Sequence, residues 1–231
     1  MIEPTPHRRR PRYSGKYPRR FEDKYKELDP SKNPETIAKV LASGKTPAGT
    51  HVPIMVAEIL DILAPKPRET AVDCTLGHGG HARRILERLA PGGHLIGLDV
   101  DPFELPRTES ALRLEGFGTD IFSAYKSNNA GIAAALAAHG YVGADLILAD
   151  LGVSSMQLDN PLRGFSNKHS GPLDMRLNPN RGLTAAQWLK QITAEKLFET
   201  LLENADETHA AALASALAGK SLALTSDLTN A

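Results

Sequence analysis

One cysteine, Cys74, occurs in 231 residues. No internal disulfide and no cysteine cluster for zinc can therefore staple the chain, and its fold must rest on packing. No run approaches the roughly 18 uninterrupted apolar residues that a membrane helix needs, and the N-terminus has no apolar stretch of the secretory type. A cytoplasmic protein with no membrane partner is expected. Net charge is also missing, since 27 Lys and Arg balance 27 Asp and Glu. What remains is ordinary for a globular protein: 41% apolar and 23% charged residues argue against disorder over most of the length.

The charge is local rather than absent. Residues 1 to 20 carry Arg8, Arg9, Arg10, Arg12, Lys16, Arg19 and Arg20 against Glu3, with Tyr13 and Tyr17 between them. Such an arm can neutralise RNA phosphates and stack on bases, or it can be a solvated tail. A short helix is expected from Asn33 as N-cap and Pro34 at its first position to a stop at Gly44. A linker follows to Thr50, and the apolar spacing from His51 to Leu63 suits one face of a helix ending before Pro65.

Strand-like and helix-like segments then alternate: Thr70–Thr75, His81–Leu89, His94–Asp99, Glu104–Leu114, Thr119–Tyr125, Gly131–His139 and Asp145–Leu151. That alternation predicts a parallel sheet with helices on both faces, and right-handed crossovers give the strand order 3-2-1-4. Gly152 to Gly182 reads as a long irregular stretch, a length usually functional or disordered. Helices are expected again over 184–190, 194–204 and 206–218. The division is an arm with a short helix (1–48), a nucleotide-binding core (49–160), and a loop with a helical part (161–231).

The first strand runs into Asp73-Cys74-Thr75-Leu76-Gly77-His78-Gly79-Gly80-His81 with a helix behind it. Glycines here permit a tight reversal and close approach of backbone to ligand, and Asp99, 22 residues beyond Gly77, can accept from ribose hydroxyls. An adenosine-bearing cofactor is implied. Gly77-x-Gly79-x-x-Ala82 also fits a relaxed dinucleotide fingerprint, so an oxidoreductase is the competing enzyme class. Asp73, a negative charge beside the turn, favours a ligand carrying a sulfonium and an amino group, as S-adenosylmethionine does, over a pyrophosphate. His78 and His81 lack acidic or cysteine partners at ligand spacing, so no metal site is expected and they read as solvent-facing or ligand-contacting. Asp150 ends the fourth strand at the edge where open α/β sheets bind ligands. Alternatively, it caps a helix starting near Ser154.

Four segments are more specific: T-L-G-H-G-G-H, A-D-L-G-V-S-S-M-Q-L-D, R-G-F-S and G-P-L-D-M-R-L-N-P. In order and spacing they resemble the bacterial 16S ribosomal RNA cytosine-N4 methyltransferase family, from about His51 to about Asp227. The resemblance implies a Rossmann-like, class I S-adenosylmethionine-dependent methyltransferase fold, here the first half of its parallel sheet with a partial helical insert. It implies S-adenosylmethionine contacts at Gly79, Gly80, His81, Asp99, Asp150 and Gln157, and places Asn129 where the family usually has Phe. Residues 163–177 match a loop near the family's active site, in which Asp174 and Arg176 remain and Ser170 replaces a usual Asp. Asp150 and Asp174 are the candidate catalytic carboxylates. The expected partner is 16S ribosomal RNA in the small subunit, with methyl transfer to a cytidine N4 amine. Against the family's pattern the chain reads as a shortened form, for which aggregation, self-association through the open edge of strand four, or a missing remainder are the alternatives; an inactive RNA-binding remnant is the competing non-enzyme reading.

Overall fold

The computed structural model describes residues 53–231. The basic arm, the helix expected at 33–44, the linker and the start of the 51–63 helix lie outside the described residues. Helix α1 (Val56–Leu63) begins after Met55, whose positive φ sets its start, and ends at Ala64 just before Pro65.

Four parallel strands follow: β1 (Thr70–Asp73), β2 (His94–Asp99), β3 (Phe122–Lys126) and β4 (Leu146–Leu148), in the order β3-β2-β1-β4. The expected order and direction therefore hold. Ala71 and Val72 of β1 and Leu95, Ile96 and Leu98 of β2 point to both faces of the sheet and are buried there, as suits strands covered on both sides. Helices α2 (Gly80–Leu89), α3 (Glu104–Leu114) and α4 (Ile132–Ala138) cross between strands. Ile85, Leu86, Leu89, Leu105 and Leu112 pack with Leu95, Phe122, Leu146 and Leu148 on one face. On the other, Ala135 and Leu136 cover Val72, Ile96 and Leu98.

β1 and β4 are shorter than the expected segments Thr70–Thr75 and Asp145–Leu151. At their starts, Asp145 Oδ2 accepts from Thr70 N at 2.7 Å while Asp145 N donates to Thr70 O at 2.8 Å, fixing the register. Past Leu148 the chain leaves the ladder, and Asp150 N donates to the Thr75 hydroxyl at 2.8 Å. Side chain replaces backbone as the tie between the two strands. The sequence reading of β4 as covered on both faces needs correction: Leu146 and Leu148 are buried, but Ile147, on the Val72 side, is 49% exposed.

Beyond the sheet lie α5 (Ser155–Asp159), a 3-10 turn (Pro161–Arg163), α6 (Ala185–Gln191), α7 (Ala194–Ala205), α8 (Ala210–Leu217) and α9 (Thr225–Thr229). Thr184 opens α6 with a reciprocal cap: its hydroxyl accepts from Gln187 N at 3.1 Å, and the Gln187 side chain accepts from Thr184 N at 3.0 Å. Leu189, Leu197, Ala214 and Leu222 form a separate small core, which Leu173 of the preceding loop enters. The loop expected to be irregular is thus tied to these helices. Helix α8 starts at Ala210 rather than 206, because Asp206 is in the left-handed region and stops α7.

Candidate functional site

The carboxyl ends of β1, β2 and β4 converge on a cavity of about 340 Å³. The turn from β1 into α2 forms one wall. Gly77 has φ +47° and Gly79 φ +72°, a left-handed backbone that glycine adopts without a Cβ penalty. The two glycines differ in role. A Cβ on Gly77 would find open space apart from Thr75 O at 3.7 Å, whereas one on Gly79 would press on Thr108 of α3 at 2.9 Å. Gly79 does not line the cavity; it lets α2 and α3 approach. Gly77, His78, Gly80 and His81 do line it.

Asp99, at the end of β2, is aimed by the backbone. Its Oδ2 accepts from Gly77 N and its Oδ1 from Asp101 N, both at 2.8 Å. Each carboxylate oxygen accepts more than one hydrogen bond, so acceptor capacity remains toward the cavity, whose wall Asp99 forms. The Asp73 side chain, by contrast, lies beneath the turn, 1% exposed and absent from the lining. Its Oδ1 accepts from Thr75 N at 3.0 Å and from the Thr75 hydroxyl at 3.3 Å. Burial pushes its pKa from 3.8 up to about 6, against the opposing pull of the Thr75 hydrogen bonds and of His81. The charge invoked from sequence is present at neutral pH, but under the turn rather than facing the cavity.

Asn129, at the start of a 3-10 turn (Asn129–Gly131), lines the cavity together with Asn128. Asp150, Leu151, Gly152 and Val153 close the β4 side, and Asp150 is exposed. It does not cap α5. Ser154 does, its hydroxyl accepting from Gln157 N at 3.2 Å while Gln157 Oε1 accepts from Ser154 N at 2.9 Å. His81 is buried rather than solvent-facing, with Nε2 3.0 Å from Ile54 O. His78 stands 3.4 Å from Glu104.

Gly80, His81, Asp99, Asn129, Asp150 and Gln157 are thus gathered around one cavity, while Gly79 and Asp174 are not. Asp174 is engaged by Arg176, whose Nε and backbone N donate to Oδ1 at 2.8 and 3.0 Å and whose Nη2 donates to Oδ2 at 2.7 Å. The guanidinium holds this carboxyl below the usual range, which makes it a poor proton acceptor. Ser170, in place of the usual Asp, pairs with the Ser226 hydroxyl at 2.8 Å and ties the loop to α9.

Sequence reasoning missed Asp101 and Arg163. Asp101 is 1% exposed, and its Oδ2 accepts from Gln157 Nε2 at 3.1 Å and Arg163 Nη1 at 2.8 Å. Burial alone would raise its pKa, but the bonds from Arg163, Phe103 N and Gln157 outweigh it and hold the carboxyl low. The segment Asp101-Pro102 was a readable helix-entry signal. Its partner Arg163, 62 residues away, was not.

Asp99, Asp101, Glu104 and Asp150 line the cavity, Asp101 being paired with Arg163 behind the wall, and no Lys or Arg is among the described lining residues. An arrangement of this sign suits a ligand bearing positive charge and opposes a pyrophosphate, for which cationic or N–H-rich cradles are usual.

A family model described as the MraW methylase family matches residues 48–230. "Ribosomal RNA small subunit methyltransferase H 1" of Agathobacter rectalis is 52% identical over 217 residues, covering 94% of this chain and 62% of that protein. "Ribosomal RNA small subunit methyltransferase H 2" of Alkaliphilus metalliredigens is 50% identical, covering 90% and 59%. A further relative of the first name, from Lachnoclostridium phytofermentans, is 47% identical, covering 91% and 57%. The chain spans about three-fifths of the length of these relatives.

Proposed function

The chain belongs to the MraW methylase family, and from that premise we propose that it binds S-adenosylmethionine in the cavity at the sheet's carboxyl edge and serves methylation of small-subunit ribosomal RNA at a cytidine N4 amine. The observation that carries the cofactor reading is the lining itself: Asp99, Glu104 and Asp150, with Asp101 paired to Arg163, and no Lys or Arg among the described lining residues around the glycine turn. A ligand with a sulfonium and an ammonium fits that charge; the two phosphates of a dinucleotide do not. Asp99, held by two backbone N–H groups, would take the ribose hydroxyls. Gly80, His81, Asn129 and Gln157 would hold the remainder, with Asp150 toward the methionine end or the target amine. The bound cofactor supplies an electrophilic methyl group.

A cytosine N4 lone pair is delocalised into the ring, so the protein's main task is alignment of that amine in line with the transferable methyl. Asp150 stands exposed at the cavity edge, where it can accept a hydrogen bond from the amine and orient it. Asp174 is better placed to fix Arg176 than to take a proton. The base must leave its stack or be unpaired to reach the cavity, and the basic arm, outside the described residues, would add phosphate contacts. The test is transfer of tritiated methyl from S-adenosylmethionine to 16S ribosomal RNA in small subunits, with digestion to nucleosides. Label in N4-methylcytidine is expected. Label in a ring-carbon-methylated cytidine would reject the N4 assignment, and binding of NADH in preference to S-adenosylmethionine would reject the cofactor.

A further inference from the structure

The carboxylate of Asp101 gathers three segments that are distant in sequence. Its Oδ1 accepts from Phe103 N at 2.9 Å, fixing the chain at the entrance to α3. Its Oδ2 receives Gln157 Nε2 from α5 and Arg163 Nη1 from the 3-10 turn. The Arg163 guanidinium then continues outward: Nη2 donates to Leu177 O at 2.8 Å and Arg176 O at 3.2 Å. Asp101, Gln157 and Leu177 all form the cavity wall, whereas Arg163 does not. The ion pair is sequestered, with side chains 12% and 1% exposed. Arg163 therefore sits behind the wall, bridging its floor to the 172–182 loop.

We propose that Arg163 is a positioning residue that couples occupancy of the cavity to placement of the loop carrying Asp174, Arg176 and Leu177. The inference rests on the cofactor reading above. Its physical basis is the planar fork of arginine, which can direct one nitrogen at a carboxylate and the other at two carbonyls in a fixed geometry. Gln157 shares the same carboxylate oxygen, so a ligand that orders Gln157 also orders Asp101 and, through Arg163, the carbonyls of Arg176 and Leu177. Without the fork, the cavity can still form around Asp99 and the glycine turn, but the loop is released from it.

The test uses the 231-residue chain, S-adenosylhomocysteine as an unreactive probe, calorimetry for affinity and hydrogen exchange for the loop. Variants are Arg163→Met, the double variant Asp101→Asn/Arg163→Met, which leaves no buried charge unpaired, and Arg163→Lys. Circular dichroism melts fix a temperature at which each is folded. In the unmutated chain, the probe should slow exchange both at residues 76–80 and at 175–183. In Arg163→Met and the double variant, affinity should fall on the order of tenfold, with protection kept at 76–80 and lost at 175–183. Arg163→Lys keeps the charge without the fork, and should lose loop protection and affinity as the Met variants do. A purely structural role would lower the melting temperature and leave both readouts unmoved, as would overturn the proposal. Should the Met variants fail to fold, loss or retention of loop protection in Arg163→Lys decides. Failure of the unmutated chain to bind the probe would instead overturn the cofactor reading and the proposal with it.

Discussion

Asp73→Asn should make the protein more stable at neutral pH and a weaker binder of cofactor. The carboxyl is 1% exposed, and its folded pKa is about 6 against 3.8 in the unfolded reference. A folded pKa raised in this way means that the native state binds the proton more tightly than the unfolded chain. Stability is then greatest below the unfolded pKa and declines as pH rises from near 4 through 6. The full displacement is equivalent to about 3 kcal/mol of destabilisation once the group is ionised. Asparagine keeps an oxygen to accept from Thr75 N and the Thr75 hydroxyl, and it carries no charge to desolvate. Urea denaturation of both proteins across this range should show the variant gaining about 2 kcal/mol more at pH near 7.5 than at pH near 4.5. Cofactor affinity should move the other way, since a negative charge beneath the turn is lost. Parallel stability–pH curves for the two proteins would refute the reasoning.

Three further outcomes are expected. Asp99→Ala should cost about 1.5 to 3 kcal/mol of S-adenosylmethionine affinity by calorimetry, and unchanged affinity would remove Asp99 from the ribose site. Gly164→Ala should destabilise by about 2 to 4 kcal/mol in urea, because Gly164 has φ +70° and a Cβ there would collide with backbone atoms of Pro172 and Asp174; a loss under about 0.5 kcal/mol would contradict this. Deleting residues 1 to 20 should flatten the salt dependence of RNA binding by about 0.7 per lost phosphate contact, whereas an unchanged slope leaves only a solvated tail.

The sheet was legible because strand-like and helix-like segments alternate from Thr70 to Leu151, and β2 lies at His94–Asp99 as expected. Strand ends were less legible. Thr75 and Asp150 belong to extended-looking runs, but their hydrogen bond to one another draws both out of the ladder. Asp99, Asp150 and Gln157 could be located from position and resemblance, since strand ends and the following turn face the cavity in this topology. Gly79 was placed at the ligand by backbone approach; it lies outside the cavity lining, and a Cβ there would meet Thr108. The bond between Asp101 and Arg163 depends on how the loop after β4 folds back over β2, and neither periodicity nor motif spacing encodes that meeting. Asp174 and Arg176 illustrate the same limit: two residues apart in the chain, they satisfy each other rather than the cavity.

A crystal structure of the chain grown with S-adenosylhomocysteine tests the central claim most directly. The account predicts ligand density between the Gly77–Gly80 turn and Gln157, with both ribose hydroxyls within hydrogen-bond distance of Asp99. Ligand density elsewhere on the molecule, or a ribose turned away from Asp99, would contradict it.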